Sequence, residues 1–135
     1  MREENKKIIL GRWFKKGDED ELSAFAILKH RDGTPGTVCF LSQQIAEKYL
    51  KALLIYYDQE IIKIHDLVRL ESTLLEFAPE IKNLHDELDL LSDFYIETRY
   101  VGDFPEFSWN DAEKAYEAAK KIKEYVLLIT RPLAL

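Results

Sequence analysis

The sequence holds one cysteine, four prolines and five glycines in 135 residues. A lone thiol cannot close a disulfide within the chain, so a disulfide framework is excluded and a reducing compartment suits the protein. The scarcity of proline and glycine leaves long stretches free to be helical. No apolar run approaches the roughly 18 residues of a membrane span; the longest are residues 52–57 and 125–129. The opening Met-Arg-Glu-Glu-Asn-Lys-Lys has no long apolar stretch behind it, so no signal peptide is expected and the expected location is cytoplasmic. An excess of positive charge is also missing. Lysine and arginine number 19 against 25 acidic residues, a formal charge of −6. That balance counts against a general nucleic-acid binder, which holds phosphates by neutralising them.

Several chemical signatures are absent too. The three histidines, His30, His65 and His85, form no HxxxH, HExxH or Glu-x-x-His pattern, so helical zinc and di-iron centres are not expected. Gly33 and Gly36 are not followed by Gly-Lys-Ser/Thr, which excludes a phosphate-binding P-loop. Neither a metal nor a cofactor is expected.

What is present is an ordinary globular composition, 47% hydrophobic with two Trp, seven Tyr and seven Phe. It fits a single domain over residues 1–135 with a core of its own. Periodicity reads as helix nearly throughout. Ile81, Leu84, Leu88, Leu91 and Tyr95 are spaced 3, 4, 3, 4, one stripe on a helix that Pro79 opens. Ala112, Ala115, Ala119, Ile122, Val126 and Ile129 repeat the pattern in a last helix, with Ser108 and Asn110 as candidate caps and Pro132 as its end. A shorter helix over residues 66–77 turns Leu67, Leu70, Leu74 and Phe77 inward, with Asp66 at its positive end.

Residues 37–57 are two-faced at first. Gln44, Glu47, Lys48 and Lys51 form a polar stripe against Leu41, Ile45, Tyr49, Ala52 and Leu53, after which residues 52–57 are apolar all round. Such a helix belongs at the bundle centre or across a dimer interface. In the first helix Ile9, Trp13, Leu22, Phe25, Ala26 and Leu28 have helical spacing, but Gly17 and the following Asp-Glu-Asp-Glu imply a bend or a second start at Asp18. Turn chemistry places linkers at residues 30–36, 58–65 and 99–107. The fold class is all-α, an up-and-down bundle of about five helices.

Among chemistry-bearing residues, His85, Asp89 and Asp93 recur every fourth position, as hard-cation ligands or as a solvated face. Cys39 lies among Val38, Phe40 and Leu41, where a thiol serves as a small hydrophobe rather than a nucleophile. Lys120, Lys121 and Lys123 read as a salt-bridged face through Glu117–Lys121 and Lys120–Glu124 pairs. Residues 93–109 are the most unusual segment, gathering Tyr95, Tyr100, Phe104, Phe107 and Trp109 beside Arg99. Exposed aromatics with a planar cation suit base stacking and phosphate clamping, or else the sealing of a core or a dimer contact.

Residues 39–55, His65-Asp-Leu-Val-Arg-Leu70, Tyr95-Ile-Glu-Thr-Arg-Tyr100 and residues 112–122, in that order, resemble a HEPN (higher eukaryotes and prokaryotes nucleotide-binding) domain. The resemblance implies a short helical bundle that dimerises and is often encoded beside a minimal nucleotidyltransferase in toxin–antitoxin pairs. Many such domains are metal-independent ribonucleases with an Arg-x(4–6)-His motif. Here the positions five to seven after Arg99 hold Phe104, Pro105 and Glu106, and no other arginine has a histidine in that window. Leu41 and Val101 also stand where the family often has His and Pro. The leading expectation is a homodimer without the ribonuclease motif that binds a nucleotide or RNA ligand, or a nucleotidyltransferase partner. Its candidate site has Arg99 as phosphate clamp, Tyr100 as stacking or dimer contact, Tyr95 and Asp103 beside them, and Glu47 and Lys48 as a polar wall. The alternatives are RNA cleavage through a rearranged site, in which a tyrosine or carboxylate replaces the histidine, and a purely structural dimerisation module.

Overall fold

The computed structural model describes residues 2–95 and 106–134. Among them five α-helices form: α1 (Glu3–His30), α2 (Pro35–Tyr56), α3 (Leu67–Leu74), α4 (His85–Ser92) and α5 (Trp109–Ala134), with a 3₁₀ turn over Pro79–Leu84 before α4. No helix of the described residues is long and apolar enough to cross a membrane.

The ends follow from local chemistry. α1 begins with Glu3 and Glu4 and ends with Lys29 and His30, matching its dipole. Arg31, at φ 59°, closes it by donating its N–H to the Ile27 carbonyl. Thr34 caps α2, accepting from the Thr37 N–H at 3.2 Å, and Pro35 occupies the first turn. Asp66 caps α3 by accepting from Val68 N–H at 3.0 Å and Arg69 N–H at 3.4 Å. Ser108 and Asp111 form a reciprocal box at the start of α5, with bonds of 2.9 and 3.1 Å. Those bonds hold the Asp111 carboxyl below its usual range.

α2 is the hub, packing against α1, α5, α3 and α4. Ala52, Leu53 and Leu54 are fully buried, so its all-apolar second half lies at the bundle centre of a single chain. The stripe Ala112, Ala115, Ala119, Ile122 and Val126 of α5 is fully buried against it, as are Leu67, Leu70, Leu74, Ile81, Leu88 and Leu91.

Four expectations need correction. The segment that Pro79 opens is not one helix but a 3₁₀ turn followed by the short α4. α1 does not restart at Asp18; it is one continuous helix through Gly17, which is buried. A Cβ there would lie 2.7 and 2.9 Å from two atoms of the Tyr49 ring, so the glycine is a seat for that ring. The continuous helix turns Leu10, Gly17 and Ala24 inward and leaves Leu22 and Phe25 71% and 46% exposed, outside the core that their spacing suggests. At the other end α5 runs past Pro132 to Ala134. A proline this near a C-terminus lacks one N–H donor without stopping the last turn.

Candidate functional site

Half of the polar stripe on α2 is interior: Glu47 and Lys51 are buried, while Gln44 and Lys48 are only partly covered. Gln43, Glu47 and Lys51 are spaced by four and sit on one line of the helix, each less than 7% exposed. Charge at such depth requires partners. Lys51 Nζ donates to Glu47 Oε2 at 3.1 Å, and Gln43 Nε2 donates to Glu47 Oε1 at 3.1 Å. Gln43 Nε2 also donates to the His65 carbonyl at 3.1 Å, while its own Oε1 accepts from Gln44 Nε2 at 2.6 Å.

His65 completes the group. Its Nδ1 lies 2.9 Å from Glu47 Oε1, and its ring stacks on Tyr95 with centroids 4.1 Å apart and planes 13° apart. Phe40 lies behind Tyr95 at 6.4 Å. Backbone and ring are therefore both held: the carbonyl by Gln43, the following residue by its cap on α3, the imidazole by Glu47 and Tyr95. The His65 side chain is nonetheless 44% exposed. With Nδ1 engaged by the carboxylate, Nε2 points from the opposite side of the ring. An imidazole so oriented donates a hydrogen bond to a phosphate oxygen when protonated, or accepts a proton when neutral.

The sequence-derived site divides. Glu47 and Tyr95 come together, joined by His65, a residue outside the sequence-derived site although it opens the His-Asp-Leu run. Lys48 belongs elsewhere: it points to α1 and pairs with Asp20, because one step along a helix rotates a side chain by about 100°. Arg99, Tyr100 and Asp103 lie outside the described residues.

Lys48 and Asp20 are part of a second charged group that explains the Asp-Glu-Asp-Glu run. Tyr49 Oη donates to Asp18, and Lys123 of α5 contacts Asp18 at 3.0 Å and Glu21. Burial, then the bond to Asp18, pushes the Tyr49 phenol up. For Lys123 burial opposes the charge, but the bonds to Glu21 and Asp18 outweigh it and raise its pKa. The group ties α1, α2 and α5 together.

The other candidates resolve structurally. His85 Nδ1 lies 2.7 Å from the buried Glu71 carboxylate, linking α4 to α3, and no group of three metal-ligating side chains occurs among the described residues. The bond to Glu71 raises the His85 pKa. Cys39 is buried, and burial followed by the Asp111 charge pushes its thiol up to about 12, which suits a packing residue. The expected Glu117–Lys121 and Lys120–Glu124 pairs do not form: Lys121 meets Glu87 at 3.5 Å, Lys123 meets α1, and Lys120 lies over the Tyr116 ring at 5.6 Å. The described aromatics of residues 93–109 are packed: Phe94 meets Phe107 edge-on at 4.9 Å, and Trp109 carries Arg31 over its ring at 4.3 Å. Arg31 also pairs with Glu113 at 3.2 Å.

The architecture is shared with solved structures. The crystal structure of TT1696 from Thermus thermophilus is similar with a TM-score of 0.75 and 27% identity, over 87% of this chain and 94% of that one. ST0689, described as an archaeal HEPN homologue, is similar in fold, with a TM-score of 0.70 and 24% identity over 87% of this chain and 93% of that one. No curated protein matches the sequence. The HEPN domain model matches residues 10–129, nearly the whole helical bundle. The chain belongs to the HEPN domain family.

Proposed function

We propose that this HEPN-domain protein works as a cytoplasmic homodimer that binds a nucleotide or an RNA phosphate, as one component of a toxin–antitoxin-like pair with a minimal nucleotidyltransferase. The observation that carries the reading is the anchored imidazole: Glu47 at 2.9 Å and Tyr95 at 4.1 Å hold His65 while the ring stays 44% exposed. His85 is likewise half exposed and bound to a buried carboxylate; what sets His65 apart is the Tyr95 ring stacked on it, which leaves a donor beside an aromatic face. Arg99 follows Tyr95 by four residues and is the phosphate clamp of this reading, with Tyr100 and Asp103 beside it. The net charge of −6 favours a small or specific ligand over long nucleic acid.

Calorimetric titration of ATP, GTP and a short RNA into wild type, Arg99→Ala and His65→Gln tests it. Binding by wild type and a loss of roughly tenfold or more in each variant, the scale of a charge-assisted hydrogen bond, is expected. No binding by wild type, or equal binding by all three, overturns the reading.

The same pair favours a second reading, metal-independent RNA cleavage through a rearranged site. A carboxylate that orients an imidazole is the arrangement of a general base, here without the Arg-x(4–6)-His spacing. Labelled RNA incubated with wild type in EDTA decides it: cleavage that His65→Gln abolishes supports it, and intact RNA removes it.

A further inference from the structure

We infer that the flank shared by α1 and the loop after α2 is a self-complementary docking surface for a second copy of this chain. The inference rests on the dimeric part of the reading above and names the surface that would make the dimer.

Ile9, Arg12, Trp13 and Lys16 line a groove of about 310 Å³ along α1, apolar at the floor and cationic at the rim. Ile9 and Trp13 pack on a small buried cluster of Leu10, Ala52 and Ile55, separate from the main core. Ile55 of that same cluster also lines a second depression of about 460 Å³, with Asp58, Gln59, Glu60 and Ile61. The two concavities therefore share one buried foundation and carry opposite charge. Lys6 fixes the second against α1, donating to the Tyr56 carbonyl at 3.0 Å and pairing with Asp58 at 3.0 Å.

Asp58 is paired with Lys6 within one copy, but the other charges of the two concavities are not so spent. Among the described residues Arg12 and Glu60 make no ion pair, and the pair of Lys16 with Glu19 is a loose 3.9 Å between exposed groups. Ile61 is 36% exposed. A two-fold axis between the concavities places the acidic loop of each copy on the cationic groove of the other, forming the contact twice and closing the assembly. Ile61 then has an apolar floor to enter, and Glu60 meets Arg12 and Lys16. Tryptophan with arginine at the centre is the composition that anchors interfaces. Two copies each carrying −6 repel at long range, and this pairing puts opposite charges in contact where the copies meet. A two-fold pairing of copies uses both concavities of each.

The test is a reciprocal charge reversal, with folding of each variant checked by circular dichroism and mass by light scattering after size exclusion. One variant carries Arg12→Glu and Lys16→Glu, the other Gln59→Lys and Glu60→Lys. Wild type is expected to be dimeric, and each variant alone to dimerise at least about tenfold more weakly, since like charges then face each other twice. Mixing the two variants restores complementarity at both contacts, so a heterodimer of near wild-type affinity is expected. A wild-type dimer that neither variant weakens, or variants that weaken it without recovery on mixing, overturns this surface and leaves the dimer itself standing. A monomeric wild type overturns both.

Discussion

Gly17 shows how far a single residue can mislead when read alone. Beside four acidic residues it reads as a helix interruption, yet its neighbourhood is an aromatic seat: Tyr49 rests on it, stacks on Phe14 at 4.9 Å and donates to Asp18. Nothing in a linear sequence separates a glycine that breaks a helix from one that admits a ring, because the ring comes from thirty-two positions away. Alanine at this position would gain about 1 kcal/mol of helix propensity but force a buried, hydrogen-bonded tyrosine to move, an overpacking cost of about 1–3 kcal/mol. Gly17→Ala is therefore expected to lower the urea midpoint; a higher midpoint would mean that the Tyr49 ring gives way freely. Glu47 is a related case. Its place on a polar stripe and its i,i+4 partner Lys51 were legible, but its burial was not, since His65 covers and orients it only once the loop after α2 folds back.

At the scale of elements, spacing was informative where one face carries the core. The α5 stripe and the α3 leucines fell where their periods put them. The segment after Pro79 divided into a 3₁₀ turn and a short α4, because short pieces can be held by side-chain ties that a period does not encode. One such tie is the His85–Glu71 bond between α4 and α3, and it carries a pH signature. The bond to Glu71, then its charge and those of Asp89 and Asp86, raise the His85 pKa. A raised histidine contributes its stabilisation in full below its ordinary value of about 6.5 and loses it as pH rises through the raised value. Thermal unfolding should therefore show a falling Tm from about pH 6 to 8 that flattens in His85→Asn and in Glu71→Gln. A slope unchanged by both substitutions would assign the pH dependence to other groups.

Across the whole molecule, HEPN membership was legible from four short runs in order, and the matching family domain spans residues 10–129. The site was legible only in part. Sequence reasoning reached Glu47 and Tyr95 but placed Lys48 with them, and it passed over His65 because that histidine lacks the spacing of a metal ligand or of the family's ribonuclease motif. Three-dimensional closure is what makes it a candidate: the loop carrying His65 lays the ring against a carboxylate on α2 and against Tyr95. The measurement that bears on this reading with least ambiguity is NMR of the labelled histidine rings during titration with a short RNA and with ATP. The His65 ring resonances should shift in step with ligand occupancy while those of His30 stay in place. A His65 ring unmoved at saturating ligand would contradict a role for the Glu47–His65–Tyr95 group in binding.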